Sequence, residues 1–267
     1  MTQLSQLLGC PAATALLGHM AGDVTGSTFE RNPARDADFG LFPESSHFTD
    51  DTVLTVATAD AFVSGVPLAD KLREYTSKYP MRGYGNKFLA WAWGRWDTGL
   101  NSFGVGAAMR ILPSALWRLK AENWSNEIAL DAAVTHTHEH AIKAALEAAI
   151  AVRHALTWRG DDRSILPADL HQVDQEVPEG FQSDALLCAR PAIRIGLEAE
   201  SWEDAVRQAI MLRADADTQA AIAGGLAALR HGLPIEQAEK AAHKLPEEFL
   251  NVIENFSTVW KARQALA

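Results

Sequence analysis

Cysteine is nearly missing from this chain: Cys10 and Cys188 are the only two in 267 residues. Both sit among small or apolar neighbours, so a disulfide framework is not expected and a reduced, cytoplasmic protein is. Long apolar runs are absent too. None reaches the roughly 18 residues that cross a bilayer, and no basic segment precedes an apolar one near the start, so no membrane partner is expected. Positive charge is in short supply, with 24 Lys and Arg against 34 Asp and Glu, a net charge of −10. That balance argues against duplex nucleic acid or anionic lipid as the main partner. It leaves room for a phosphate-bearing small molecule held through metal or backbone. No paired, alternating β-branched runs mark a hairpin, and no repeat or linker rich in Gly, Ser or Pro divides the chain. The oligomeric state is not legible.

What is present is helical periodicity. Apolar residues make up 48% of the chain and recur at three- and four-residue spacing. Caps and breakers predict helices over about 12–25, over 50–65 beginning at Thr49–Asp50, and over 68–78, which Pro80 stops. Another covers 106–119 with a disruption at Pro113. Further helices are expected from a Ser125 cap to about Thr135, over 140–158, over 183–199 after an acidic loop at 160–180, and from a Ser201 cap with Asp204 to Leu212. The last three are 217–230 and two more around Pro234 and Pro246. One all-α, compact multi-helix domain over 1–267 is the simplest architecture.

Two short segments carry most of the chemistry. Thr49-Asp-Asp-Thr52 and Asp215-Ala-Asp-Thr218 each place two aspartates beside hydroxyls. Each then enters an uncharged run, Val53 to Ala59 and Ala220 to Leu229, of the kind that is buried all round. Asp and Thr are good N-caps, so capping alone accounts for one acid per segment. A second carboxylate repels the first, and consecutive helical residues diverge by about 100°, so convergence of both would be rewarded by a cation. Four aspartates match the charge of two divalent ions, and hydroxyl and carboxylate oxygens are hard ligands suited to Mg²⁺, Mn²⁺ or Ca²⁺. Such a pair can orient a substrate and activate water. Capping and metal binding both remain open on these grounds. A zinc site at His136, His138 and His140 lacks further ligands at suitable spacing. The aromatic run Trp91-Ala-Trp93-Gly-Arg-Trp96 reads as packing, with stacking on a base as the alternative, and Tyr84 and Phe103 are candidates to line a cleft. Asp23 reads as a helix-end hydrogen-bonding residue. No Gly-x-Ser-x-Gly elbow or Gly-Lys-Ser/Thr phosphate loop occurs. Neither cysteine has a histidine constellation that would activate it as a nucleophile.

Five segments stand in order along the chain. They are Gly18-His-Met-Ala-Gly-Asp-Val-Thr-Gly26 with Glu30, Thr49-Asp-Asp-Thr52, Gly104-Val-Gly-Ala-Ala-Met-Arg110, Thr135-His-Thr-His138, and Asp215-Ala-Asp-Thr218 running on to Gly224-Gly225. Together they resemble the ADP-ribosylglycohydrolase family, the group containing dinitrogenase reductase-activating glycohydrolase. The resemblance implies an all-α fold with two Mg²⁺ or Mn²⁺ ions in a central cleft. It assigns metal binding to Thr49, Asp50, Asp51, Asp215, Asp217 and Thr218, and catalysis to Glu30, Asp50 and Asp51. Gly104, Val105, Gly106, Ala107 and Met109 would approach the diphosphate, and His138 the nucleotide portion. The implied reaction is hydrolysis at the ribose anomeric carbon of an ADP-ribosylated protein or small ADP-ribose conjugate. The alternatives are an inactive ADP-ribose-binding or structural member, or a Mg²⁺-dependent hydrolase of another nucleotide. Two departures stand out: Val105 replaces the family's usual asparagine, and Leu212-Arg213-Ala214 replaces a segment that usually has glycines. Arg213 is thereby expected as a cation beside the metal site, within reach of an anionic substrate.

Overall fold

A computed structural model describes residues 3–94, 99–157 and 184–265. Fourteen helices follow one another in these residues: α1 (Gln3–Leu7), α2 (Pro11–Gly26), α3 (Asp50–Ser64), α4 (Leu68–Lys78), α5 (Asn86–Ala92), α6 (Gly106–Met109), α7 (Leu112–Trp117), α8 (Trp124–Ala133), α9 (Glu139–Thr157), α10 (Ala185–Glu198), α11 (Trp202–Ile210), α12 (Ala216–His231), α13 (Ile235–Ala242) and α14 (Glu247–Ala265). No β-strand longer than an isolated bridge occurs among the described residues. No helix there is long and apolar enough to cross a membrane.

Most predicted helices form, and the caps at Thr49 and Ser201 act as expected. Thr49 caps α3, and Gly65 closes it in the left-handed conformation at φ 71°. Ser201 accepts from Asp204 N at 3.1 Å, while Asp204 reaches back to Glu200 N, one residue before the cap. The run 106–119 differs from expectation. It breaks at Arg110–Ile111 rather than at Pro113, which sits in the first turn of α7 where its missing N–H leaves no bond unmade. Asn123 rather than Ser125 precedes α8, and α11 ends at Ile210 rather than Leu212. The short helices α1 and α5 go beyond the predicted set. The acidic loop 160–180 and Ser183, the expected first residue of the helix after it, lie outside the described residues.

The centre of the molecule is α2 against α12. Fifteen of the 16 residues of α2 are buried, as is the α12 stretch from Ala216 to Ala228. The pair is antiparallel, and glycines at four-residue spacing on α2 set its separation. A Cβ at Gly18 would lie 2.3 Å from Ala228 Cβ, at Gly22 2.1 Å from Ala220 O, and at Gly26 2.4 Å from Ala216 O. The C-terminal half of α2 is thereby drawn against the N-terminus of α12, which puts Asp23 beside Asp217. Gly224 on α12 contributes to the same tight face, since a Cβ there would lie 2.6 Å from Gly18 O.

Candidate active site

Helix α3 enters this junction with its N-terminus foremost. Asp23 anchors it. One carboxylate oxygen accepts from Thr49 N at 2.9 Å, from Thr52 N at 3.2 Å and from the Thr52 hydroxyl, and the other from Thr49 Oγ1 at 2.6 Å. Thus a side chain on α2 satisfies backbone donors in the first turn of α3. The segment after α4 supports the same turn, since Asp50 N donates to Arg82 O at 2.7 Å. The Arg82 guanidinium lies 3.7 Å from the centre of the Phe48 ring. Gly83 has φ 101°, and a Cβ there would come within 2.9 Å of Asp50 Oδ1, so both its backbone and its space exclude a side chain.

The two acidic segments do meet. Thr218 Oγ1, on α12, donates to Asp51 Oδ2, on α3, at 3.0 Å. Asp51, Asp217 and Asp23 offer oxygens that all lie within 4.8 Å of one another. Asp50, Asp51, Asp215, Asp217, Thr218 and Glu30 face a common cavity of about 420 Å³, within the range of small-ligand sites. Thr49 stands behind this wall, hydrogen-bonded to Asp23. Asp23 is therefore the acidic residue that reading along the chain placed only as a helix-end bond former. The available signal was its position between two glycines of a buried helix, directly after Gly22 and three residues before Gly26.

The electrostatics are one-sided. Burial, then the Asp217 charge, pushes Asp23 up to about 6. Burial and neighbouring carboxylates, Asp217 foremost, raise Asp50, Asp51 and Asp215 well above the usual range. Glu30 is half-buried and raised for the same reasons, with Arg31 opposing. Asp51 Oδ1 is buried without a hydrogen-bond partner. A buried carboxylate oxygen with no donor is costly, and a cation at the cavity floor would satisfy it. The donor set is all oxygen, so the site fits a hard divalent ion far better than zinc. The histidines do not assemble a zinc site, and among the described residues the group with metal-binding spacing is the aspartate triad.

The far wall is the glycine segment. Its neighbours stitch it in place: Leu100 N donates to Thr135 O, Thr137 N to Leu100 O and Ala185 N to Phe103 O, at 2.7–2.9 Å. Gly104, Val105, Gly106 and Met109 line the cavity. Ala107, expected there, is fully buried and not part of the lining. His138 is not part of the lining. It packs edge-on against Phe103, 6.1 Å between rings, and Phe103 does line the cavity. The histidine that faces the cavity is His136. Trp91 is buried as packing predicts, with Arg73 over its ring; Trp93 is exposed and Trp96 lies outside the described residues. Tyr84 is not itself in the lining but stacks on Phe88, which is. Arg213 does not point to the metal cluster. Its guanidinium donates to Arg35 O at 2.9 Å, and its backbone is left-handed at φ 57°, a conformation that glycine adopts most readily.

Residues 11–267 match the ADP-ribosylglycohydrolase family. The chain belongs to this family. It is therefore a glycohydrolase, and the buried acidic cluster is where a member of a generally metal-dependent family would hold its metal. The ADP-ribosylarginine hydrolase Tri1 of Pseudomonas putida (strain GB-1) is 26% identical over 86% of this chain and 74% of its own length. A solved structure described as an ADP-ribosylglycohydrolase-related protein complex superposes with a TM-score of 0.69 at 20% identity, over 96% of this chain and 97% of its own. That likeness concerns the fold.

Proposed function

We propose that this ADP-ribosylglycohydrolase, a single domain over 1–267, cleaves the bond at the ribose anomeric carbon of an ADP-ribosylated protein or small ADP-ribose conjugate and releases ADP-ribose. The observation that carries this reading is the meeting of carboxylates from α2, α3 and α12, among them Asp51, whose Oδ1 has no hydrogen-bond partner. Thr49, Asp50, Asp51, Asp215, Asp217 and Thr218 are the proposed ligands of two Mg²⁺ or Mn²⁺ ions, with Asp23 added to them. When bound, such ions would hold sugar hydroxyls and lower the pKa of water.

The chain's own groups supply the rest. Cleavage at the anomeric carbon passes through an oxocarbenium-like state, and the acidic floor favours that positive charge. Glu30, which lines the same cavity with its carboxyl raised, would accept a proton from the attacking water. Asp50 and Asp51 orient the sugar. Gly104, Val105, Gly106 and Met109 give the diphosphate a wall without bulky polar side chains, and Phe103 with His138 behind it flanks the nucleotide. Ala107 supports this wall from the core side.

The test is release of free ADP-ribose from peptides ADP-ribosylated on arginine or on serine, with Mg²⁺ or Mn²⁺ and with chelator. Turnover that chelator abolishes, and that Asp51→Asn and Asp217→Asn each reduce at least about a hundredfold, is the expected result. Metal-independent turnover would overturn the reading. Tight ADP-ribose binding without turnover would instead mark a binding member. Hydrolysis of a different nucleotide would move the substrate.

A further inference from the structure

The Arg110 side chain is fully buried at the end of α6, and Asp131 partly offsets the burial that opposes its charge. Its Nη2 donates to Asp131 O at 2.9 Å and to Thr135 Oγ1 at 2.8 Å. Thr135 Oγ1 in turn lies 2.9 Å from His136 Nδ1. A guanidinium has only donors, so the Thr135 oxygen accepts from Arg110 and its hydroxyl hydrogen must go elsewhere. Thr135 has no exposed surface, and among the described residues the remaining partner of this hydroxyl is His136 Nδ1. Were Nδ1 to carry a proton, the Thr135 hydroxyl would be a buried donor without an acceptor. A doubly protonated ring meets the same obstacle and also the Arg110 charge. The ring proton belongs on Nε2. That atom makes no hydrogen bond among the described residues and is not sealed in. It lies on the cavity side, where a Cβ at Gly106 would come within 3.2 Å of it.

We infer that Arg110 and Thr135 are positioning residues that hold His136 as a neutral Nε2–H donor toward an oxygen of the bound ligand, beside the Gly104–Gly106 segment. The donor is fixed before the ligand arrives, because the buried relay, not the ligand, selects the tautomer. The ligand class, a nucleotide with phosphate or ribose oxygens, rests on the proposed function; the tautomer does not.

Two measurements on the full chain test this. Long-range ¹H–¹⁵N correlation spectra at neutral pH should show His136 as a single neutral species protonated at Nε2. A ring protonated at Nδ1, or at both nitrogens, overturns the relay. Titration calorimetry with ADP-ribose should show about five- to tenfold weaker binding for Thr135→Val, the worth of one neutral hydrogen bond. Thr135→Ser, which keeps the hydroxyl, should bind within about twofold of the parent chain on the same scale. Equal affinity in all three chains overturns the positioning role. Should Thr135→Val fail to fold, the parent spectrum still decides. Should the parent chain not bind ADP-ribose at all, the proposed function fails, while the spectrum judges the tautomer independently.

Discussion

Asp51 concentrates the conflict at the residue scale. Its carboxyl is raised by burial and by Asp217, Asp23, Asp50 and Asp215, and one of its oxygens has no donor. A group raised in the folded state costs stability above its unfolded value, so at pH 7 the metal-free protein carries this penalty. Asp51→Asn should therefore stabilise the chelated protein by about 1–2 kcal/mol while abolishing the gain on adding Mn²⁺. Urea unfolding with and without chelator reads both effects. Lys87 makes the opposite case. It is exposed, it lines the cavity, and the other ionisable lining residues are carboxylates and His136. Lys87→Ala should weaken ADP-ribose binding by about two- to fivefold at low salt, the usual worth of an exposed charge pair. The difference should fade near 1 M salt, and calorimetry at two ionic strengths checks it.

At the scale of elements, the separation of α2 from α12 decides whether Asp23 reaches the α3 N-terminus. Gly22→Ala would push a Cβ to 2.1 Å from Ala220 O, and backbone cannot step aside as a side chain can. Destabilisation of about 2–3 kcal/mol or more is expected, with loss of activity from the same displacement. Gly40→Ala, with open space around it, is the control and should leave the unfolding midpoint nearly unchanged. The loop between α2 and α3 is held from outside in a similar spirit. Arg207 donates to Ala37 O and Phe39 O, Arg213 to Arg35 O and Lys244 to Glu44 O. Cations that look free on paper are here consumed by carbonyls of a segment with no helix of its own.

Across the whole molecule, the acidic floor couples metal to folding. Mg²⁺ or Mn²⁺ at a hundred times its dissociation constant should raise the unfolding free energy by about 2.7 kcal/mol, seen as a higher thermal midpoint that chelator reverses. Acid acts through His136. Burial, and secondarily Arg110, lowers it from 6.5 to about 3, so the unfolded chain binds the proton first as pH falls. The contribution is intact above about 6.5 and is lost as pH drops toward 3. Thermal midpoints of His136→Gln should show a shallower fall over that window than those of the parent chain.

Helix positions, their caps and the two charge-bearing segments were legible in the sequence, because capping and period are local properties of a few neighbouring residues. So was the pairing of Thr49-Asp-Asp-Thr52 with Asp215-Ala-Asp-Thr218, since two acids ahead of uncharged helices call for a common cation. What the chain order left undecided was which side chains share one space. Asp23 joined the cluster only through close packing of glycines against a helix some 200 residues away. His136 rather than His138 reached the cavity because His136 is bridged to Leu100 of the cavity wall, whereas His138 already opens α9, its carbonyl accepting from Ala141 N and Ile142 N. Arg213 went to the Arg35 carbonyl, which the chain order places 178 residues away. Local periodicity sets the face of an element, but only the contacts between elements set what that face meets.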